Sequence, residues 1–250
     1  MTLSVENISF KYSSKIILDG VSFDVKKNEV VSILGANGAG KTTLLKCLNK
    51  IHKPFKGKIL LGKRDILKSK QNKIAQNISY VAQRPETNKL TVFDSILLGR
   101  KPYIKFGICE NDLRIVHSVI DKLNMEKISL CYTEEISGGE LQKAAIARAL
   151  VQEPKIILMD EPTASLDLKN QQDVLKLIYD VSKHHNVSTV MTVHDINIAL
   201  RYSDRILFLK DGTIYAKVTP KEVTSEIIEE VYGVKVNVRE FENFHHVFPV

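Results

Sequence analysis

The segment Glu29-Val30-Val31-Ser32-Ile33-Leu34, running into Gly35-Ala36-Asn37-Gly38-Ala39-Gly40-Lys41-Thr42, governs the reading of this chain. A short, almost wholly apolar run reads as a buried strand. The segment after it matches the pattern GxxxxGK[ST] in full. Its glycines let backbone N–H groups turn inward and cradle phosphate oxygens. Residues 42–50 carry Leu44, Leu45 and Leu48 at helical spacing, so a helix follows the loop. The positive N-terminal end of that helix points at the same anion. Lys41 supplies a point charge for the β- and γ-phosphates, and the Thr42 hydroxyl can hold Mg²⁺.

On either side of this segment, apolar patterning predicts alternating strands and helices. Residues 3–10 and 16–25 read as two strands paired across Ser13-Ser14-Lys15, and 58–61 and 78–81 as two more. From Thr91 the period turns helical, through Val92, Ile96 and Leu97, then Leu113, Val116, Val119, Ile120 and Leu123, then residues 139–151. Strands follow at 155–160, 188–193 and 205–209, with helices at 168–183 and 195–201 between them. Asp211-Gly212 is a hairpin turn into 213–216. A helix is expected over 222–232 with its stop at Gly233, then a small hairpin from 234–238 and 246–250. The order predicts an α/β fold with a mostly parallel sheet covered on both faces. An N-terminal antiparallel β unit precedes it, and a helical block at about 85–152 is inserted into one domain spanning 1–250.

Ile156-Ile157-Leu158-Met159-Asp160-Glu161 is an apolar strand ending in two acids. Asp160 at the tip can reach a magnesium shell, because hard cations take oxygen ligands. Glu161 points elsewhere and can take a proton from an attacking water. Pro162 then forces the chain out of the strand. Upstream, Ile136-Ser137-Gly138-Gly139-Glu140-Leu141-Gln142 precedes a helix. Ser137 is a fitting N-cap, and the glycines expose backbone donors at a positive helix end. This is a second anion site with no lysine of its own. Two such sites in one chain suggest that two chains meet around one nucleotide.

With these segments in this order, the sequence resembles the ATP-binding cassette ATPases, the motor subunits of ABC transporters, over nearly its whole length. The resemblance implies a P-loop NTPase core of RecA-like type and ATP and Mg²⁺ as cofactors. Tyr12 matches the aromatic that stacks on adenine, and Gly35, Asn37, Gly38, Gly40, Lys41, Thr42 and Thr43 the phosphate-binding residues. Gln83 matches the glutamine that senses Mg²⁺ and couples to the membrane partner. Ser137, Gly138 and Gly139 match the signature residues that touch the γ-phosphate, although Ile136 and Glu140 replace the usual leucine and glutamine. Asp160 is the magnesium carboxylate and Glu161 the catalytic glutamate. Ser165-Leu166-Asp167 matches the D-loop, and His194 the switch histidine. Taken singly, Tyr12 reads as core packing, His194 as a capping or core histidine and Gln83 as nothing in particular; their order gives them these roles.

Leu98-Gly99-Arg100-Lys101-Pro102-Tyr103 is similar to a stretch of the importer branch that takes up iron–siderophore, haem, cobalamin and, in some members, oxyanions such as molybdate. Residues 163–167, 201–204 and the terminal hairpin share that similarity. No regulatory domain is expected beyond Val250, and on that expectation sugar-importer motors are disfavoured. The resemblance implies an ATP-sandwich homodimer on the cytoplasmic face of a membrane. It also implies an integral permease and, indirectly, an external substrate-binding protein. The alternatives are an exporter subunit and a cassette protein acting on ribosomes or DNA. A small-molecule kinase would share the phosphate loop without needing 137–142.

Composition agrees. The chain has 250 residues, 44% hydrophobic and 26% charged, which excludes disordered and collagen-like classes. The three cysteines, Cys47, Cys109 and Cys131, are scattered and suggest no disulfide framework; Cys47, on the helix behind the phosphate loop, reads as a buried thiol. No apolar run approaches the ~20 residues of a membrane span, and residues 1–11 carry Glu6, Lys11 and no apolar block, so no secretory signal is expected. The net charge is +7, yet residues 46–73 hold ten basic side chains against Asp65 alone. That window reads as a solvated face, an anionic-lipid contact or, last, a nucleic-acid contact. With Phe55 as its one aromatic it lacks stacking residues, and no nucleic acid is expected.

Overall fold

Short, mostly apolar strands belong inside a sheet covered on both faces, and in a computed structural model of the chain every residue of the two at 30–34 and 156–160 is buried. It describes residues 3–85, 87, 89–164, 166–241 and 244–250. In chain order come β1 (Leu3–Tyr12), β2 (Lys15–Val25), β3 (Val30–Leu34), α1 (Lys41–Leu48), β4 (Lys56–Leu61) and β5 (Arg64–Asp65). Next are α2 (Gln71–Ala75), β6 (Ile78–Val81), α3 (Val92–Leu97), α4 (Glu110–Lys122), α5 (Gly138–Leu150) and β7 (Ile156–Asp160). The chain continues through α6 (Leu168–His184), β8 (Ser188–Thr192), α7 (Ile196–Tyr202), β9 (Arg205–Lys210) and β10 (Thr213–Val218). It ends with α8 (Ser225–Tyr232), β11 (Val236–Phe241) and β12 (Phe244–Pro249).

The central sheet has the order β10-β9-β3-β8-β7-β6. From β9 to β6 all pairings are parallel, and β10 joins antiparallel to β9. The antiparallel sheet β2-β1-β4-β5 packs with α1 over one face of it, burying Val5, Leu18, Phe23, Leu44, Ile59 and Leu158 together. The other face is covered from α5 to α8 around Ile157, Val174, Ile178, Met191 and Phe208. The helical block has its own small core of Val92, Ile96, Val116, Ile120, Ala144 and Val151.

One expectation needs correction. The 222–232 helix begins later. Pro220–Glu222 is a separate 3-10 turn closed by a Thr219/Glu222 capping box, Val223 is extended, and Thr224 caps α8. The expected stop is where it was placed, with Gly233 left-handed at φ +71°. The short β5 and α2 were not anticipated, because Arg64–Asp65 and Gln71–Ala75 bury a single apolar side chain between them, Ile74.

Candidate functional site

In a parallel sheet, ligands gather at the carboxyl ends of the strands. Here β3, β6, β7 and β8 all end at one edge, and the loops leaving them carry Gly35, Gln83, Glu161 and His194. Gly35 lets β3 pass β9: a Cβ there would lie 2.2 Å from the Leu209 carbonyl oxygen. Gly40 sits at φ +103°, where a Cβ would come within 2.9 Å of the Leu18 side chain. No side chain caps α1, which leaves its first-turn N–H groups without a side-chain partner at the cap. Asn37 and Gly38 are exposed on the loop, and Thr43 is buried behind it.

Lys41 folds over its own loop. Its Nζ donates to the carbonyl oxygens of Gly35 (2.8 Å) and Ala36 (3.0 Å). Burial pulls the ammonium below its ordinary pKa, and the Glu161 and Asp160 carboxylates oppose that. The Gly35 N–H donates to the Tyr232 hydroxyl at 3.0 Å, tying the loop to α8. Burial pushes the Tyr232 phenol up to about 12.

Asp160 faces Thr192 across the β7/β8 ladder. Its Oδ1 accepts from Thr42 Oγ1 (2.9 Å) and Thr192 Oγ1 (2.8 Å), and its Oδ2 from the Tyr80 hydroxyl (3.2 Å). Glu161 leaves the strand at φ +48°, a left-handed value unusual for a non-glycine residue. The turn carries its carboxylate away from Asp160's partners. Glu161 Oε1 lies 2.6 Å from His194 Nε2, and the Gln83 side-chain amide donates to Oε2. Thr42 and Asp160 thus form one pair, and Gln83, Glu161 and His194 a second group beside it. Their hydroxyl, carboxylate and amide oxygens are the hard donors that magnesium takes.

A separate group surrounds the N-terminus of α5. Ser137 Oγ donates to Glu140 Oε2 (2.7 Å) and accepts the Glu140 N–H (3.4 Å), while the Glu140 carboxylate accepts the Ser137 N–H (2.9 Å). Glu140, the departure from the usual signature, therefore completes a capping box. The Ser137 bonds hold its carboxyl below the ordinary range. Gly138 faces open space, and a Cβ on Gly139 would press on the Asn170 side chain at 2.5 Å. Asn170 lies in the first turn of α6, which Asp167 caps through a 2.8 Å bond. Residues 137–139 and Asp167 are thus neighbours; Ser165 lies outside the described residues. Among the described residues no hydrogen bond or ion pair joins this group to the phosphate loop.

Tyr12 is half exposed at the end of β1, with its hydroxyl 2.7 Å from His52 Nε2 and its ring edge-on to Phe10. The β1/β2 register pairs Lys11 with Ile16, beside the Ile17 and Leu18 that abut Gly40. Sequence reasoning missed Tyr80, Thr192 and Tyr232, because threonine or tyrosine in a strand or helix reads as propensity or packing.

A parallel sheet with a lysine-bearing glycine loop after one strand and a carboxylate at the tip of another defines a P-loop nucleoside triphosphate hydrolase. More narrowly, the chain belongs to the ABC transporter family, whose model matches residues 18–164. It is an ATP-binding subunit of the hydrolysing kind. An uncharacterized ABC transporter ATP-binding protein of Methanocaldococcus jannaschii is 51% identical over 250 residues, covering 100% of this chain and 98% of the relative. The petrobactin import ATP-binding protein of Bacillus subtilis is 31% identical over 243 residues, 96% of each chain. Among solved structures, a transporter assigned to the metal-chelate type, in an inward-facing conformation, superposes with a TM-score of 0.87 at 30% identity. That match covers 100% of this chain and 97% of the other. No helix among the described residues is long and apolar enough to cross a membrane.

Proposed function

We propose that this chain is the ATP-hydrolysing motor of an importer that moves a metal chelate, such as an iron–siderophore, haem or cobalamin, or an oxyanion, through a separate membrane permease. An external substrate-binding protein would deliver the cargo, and the chain would work in pairs on the cytoplasmic face. The petrobactin-import relative, the metal-chelate structural neighbour and the segment 98–103 support the branch. The observation that carries the hydrolytic reading is the Glu161 carboxylate held between Gln83 and His194, next to the Thr42–Asp160 pair.

In this reading the adenine lies on Tyr12. The phosphates take the N–H groups of Gly35, Asn37, Gly38, Gly40, Thr42 and Thr43, and Lys41 exchanges the Gly35 and Ala36 carbonyls for phosphate oxygens. Thr42, Asp160 and Gln83 would hold Mg²⁺, which supplies charge neutralisation on the phosphates. Glu161 takes the proton of the attacking water, and His194 steadies Glu161 and the charge developing on the γ-phosphate. Ser137, Gly138 and Gly139 of a second copy complete the site from across the nucleotide, with Asp167 at the same seam. The helical block at about 85–152 is an inserted subdomain that transmits closure to the permease.

The test is a pull-down of the tagged chain from detergent-solubilised native membranes, read by mass spectrometry. A many-helix permease isolated alongside an external binding protein is the expected result. Ribosomal or DNA-bound partners would keep the ATPase and sink the transport assignment.

A further inference from the structure

Thr192 is the last residue of β8, in a strand buried from end to end. A hydroxyl with no exposure is costly unless both its proton and a lone pair are used, and here both are. Thr192 Oγ1 donates to Asp160 Oδ1 at 2.8 Å and accepts the Glu161 N–H at 2.9 Å. The Thr192 carbonyl oxygen also accepts that N–H, at 3.2 Å. One side chain therefore touches two consecutive functional residues. It holds the carboxylate of the first and the backbone of the second at the point where the chain turns left-handed. From the opposite side, the Tyr80 hydroxyl donates to Asp160 Oδ2 at 3.2 Å, so each carboxylate oxygen has a buried or half-buried hydroxyl donor besides Thr42. Two residues beyond Thr192 along the chain stands His194, 2.6 Å from the Glu161 carboxylate.

We infer that Thr192 is a positioning residue that sets the magnesium carboxylate Asp160 and the base Glu161 as one unit, with Tyr80 fixing the far oxygen of the same carboxylate. The inference rests on the roles proposed above for Asp160 and Glu161. It gives a physical link between two loops: Thr192 joins the strand that leads to His194 to both Asp160 and Glu161.

The test uses the full chain with Thr192→Val, Thr192→Ser and Tyr80→Phe. Valine keeps the shape and β-branching and removes only the hydroxyl; the Glu161 N–H retains the Thr192 carbonyl. ATP affinity measured by fluorescence in EDTA should match wild type in all three. The Mg²⁺ concentration that half-saturates the affinity gain should rise by about 10-fold in Thr192→Val, the range for losing a partner behind a metal ligand. Turnover should fall by a similar factor with KM for ATP nearly constant. Thr192→Ser should restore both, and Tyr80→Phe should show the metal effect with a smaller loss of turnover. Wild-type magnesium dependence in Thr192→Val would overturn the inference. If Thr192→Val does not fold, an unaltered magnesium dependence in Tyr80→Phe together with loss of it in Thr192→Ser would overturn the paired role. Asp160→Asn separates the levels: if that variant keeps wild-type magnesium dependence, the metal assignment itself fails, and this inference with it.

Discussion

Glu161 is where one side chain's surroundings decide the chemistry. Its carboxylate accepts from Gln83 and meets His194, so it is oriented before any water arrives. Glu161→Gln should cut turnover by roughly 10²–10⁴-fold, the cost of losing a general base, while ATP still binds. Size-exclusion chromatography of that variant should show an ATP-bound dimer; undiminished phosphate release would remove Glu161 from its role. Cys47 is the opposite case, a group silenced by its surroundings. It is fully buried on α1, and burial pushes the thiol up from 9.0 to about 12. The folded chain thus keeps a proton that the unfolded chain gives up as pH passes 9.0. The stability this contributes is fully present below that pH and is lost as pH rises toward about 12. The melting temperature should therefore fall less steeply between about pH 9 and 11 in Cys47→Ala than in wild type, whatever the absolute offset from the cavity. Parallel slopes would show that the thiol does not titrate with folding.

The segment 98–103, read from the sequence only as a mark of one importer branch, proves to be a clamp. Arg100 is 3% exposed. Its guanidinium donates to Asp112 (2.9 Å), Glu153 (2.7 Å) and the Val151 carbonyl (2.7 Å), and lies 4.2 Å above the Tyr103 ring. The Tyr103 hydroxyl in turn donates to the Gln152 carbonyl at 3.0 Å. One arginine thus ties the start of α4 to the end of α5 and the turn into β7. Arg100→Ala leaves Asp112 buried without its cation and should cost about 3–5 kcal/mol in urea unfolding. Arg100→Met with Asp112→Leu removes both charges and should cost clearly less; equal losses would mean that packing, not the pair, sets the value. Nothing in the string of letters signals this clamp, because its members are 12 and 53 residues apart. What was legible was periodic. The buried strands β3, β7 and β8 and the amphipathic α6 lie within a residue or two of their expected bounds, and Val116 and Ile120, expected on one helix face, are buried on α4. The illegible elements, β5, α2 and the start of α8, are set by turn hydrogen bonds or by a single buried side chain, which leave no period to read.

Across the molecule, the parallel topology converts four distant loops into one edge, and that convergence was legible only as motif order. Gly35, Gln83, Asp160 and His194 come together because β3, β6, β7 and β8 run in the same direction. The α5 N-terminus has exposed Gly138 and the Ser137 cap, and among the described residues no hydrogen bond or ion pair joins it to the phosphate loop. In the proposed function a second copy brings the phosphate loop that this terminus completes. Ser137→Arg places a bulky cation where that copy's nucleotide would lie. It should lower hydrolysis by roughly 10²–10³-fold, the size of effect seen on losing a transition-state donor. ATP affinity of the monomer should stay within about twofold, as for a substitution outside the binding residues. The arginine also removes the N-cap, at about 1 kcal/mol, so a Ser137→Ala control with the same lost cap is measured beside it. If Ser137→Arg weakens ATP binding by the monomer well beyond Ser137→Ala, residue 137 acts on the phosphate loop of its own chain. The shared-site geometry, and with it the paired motor, would then have to be abandoned.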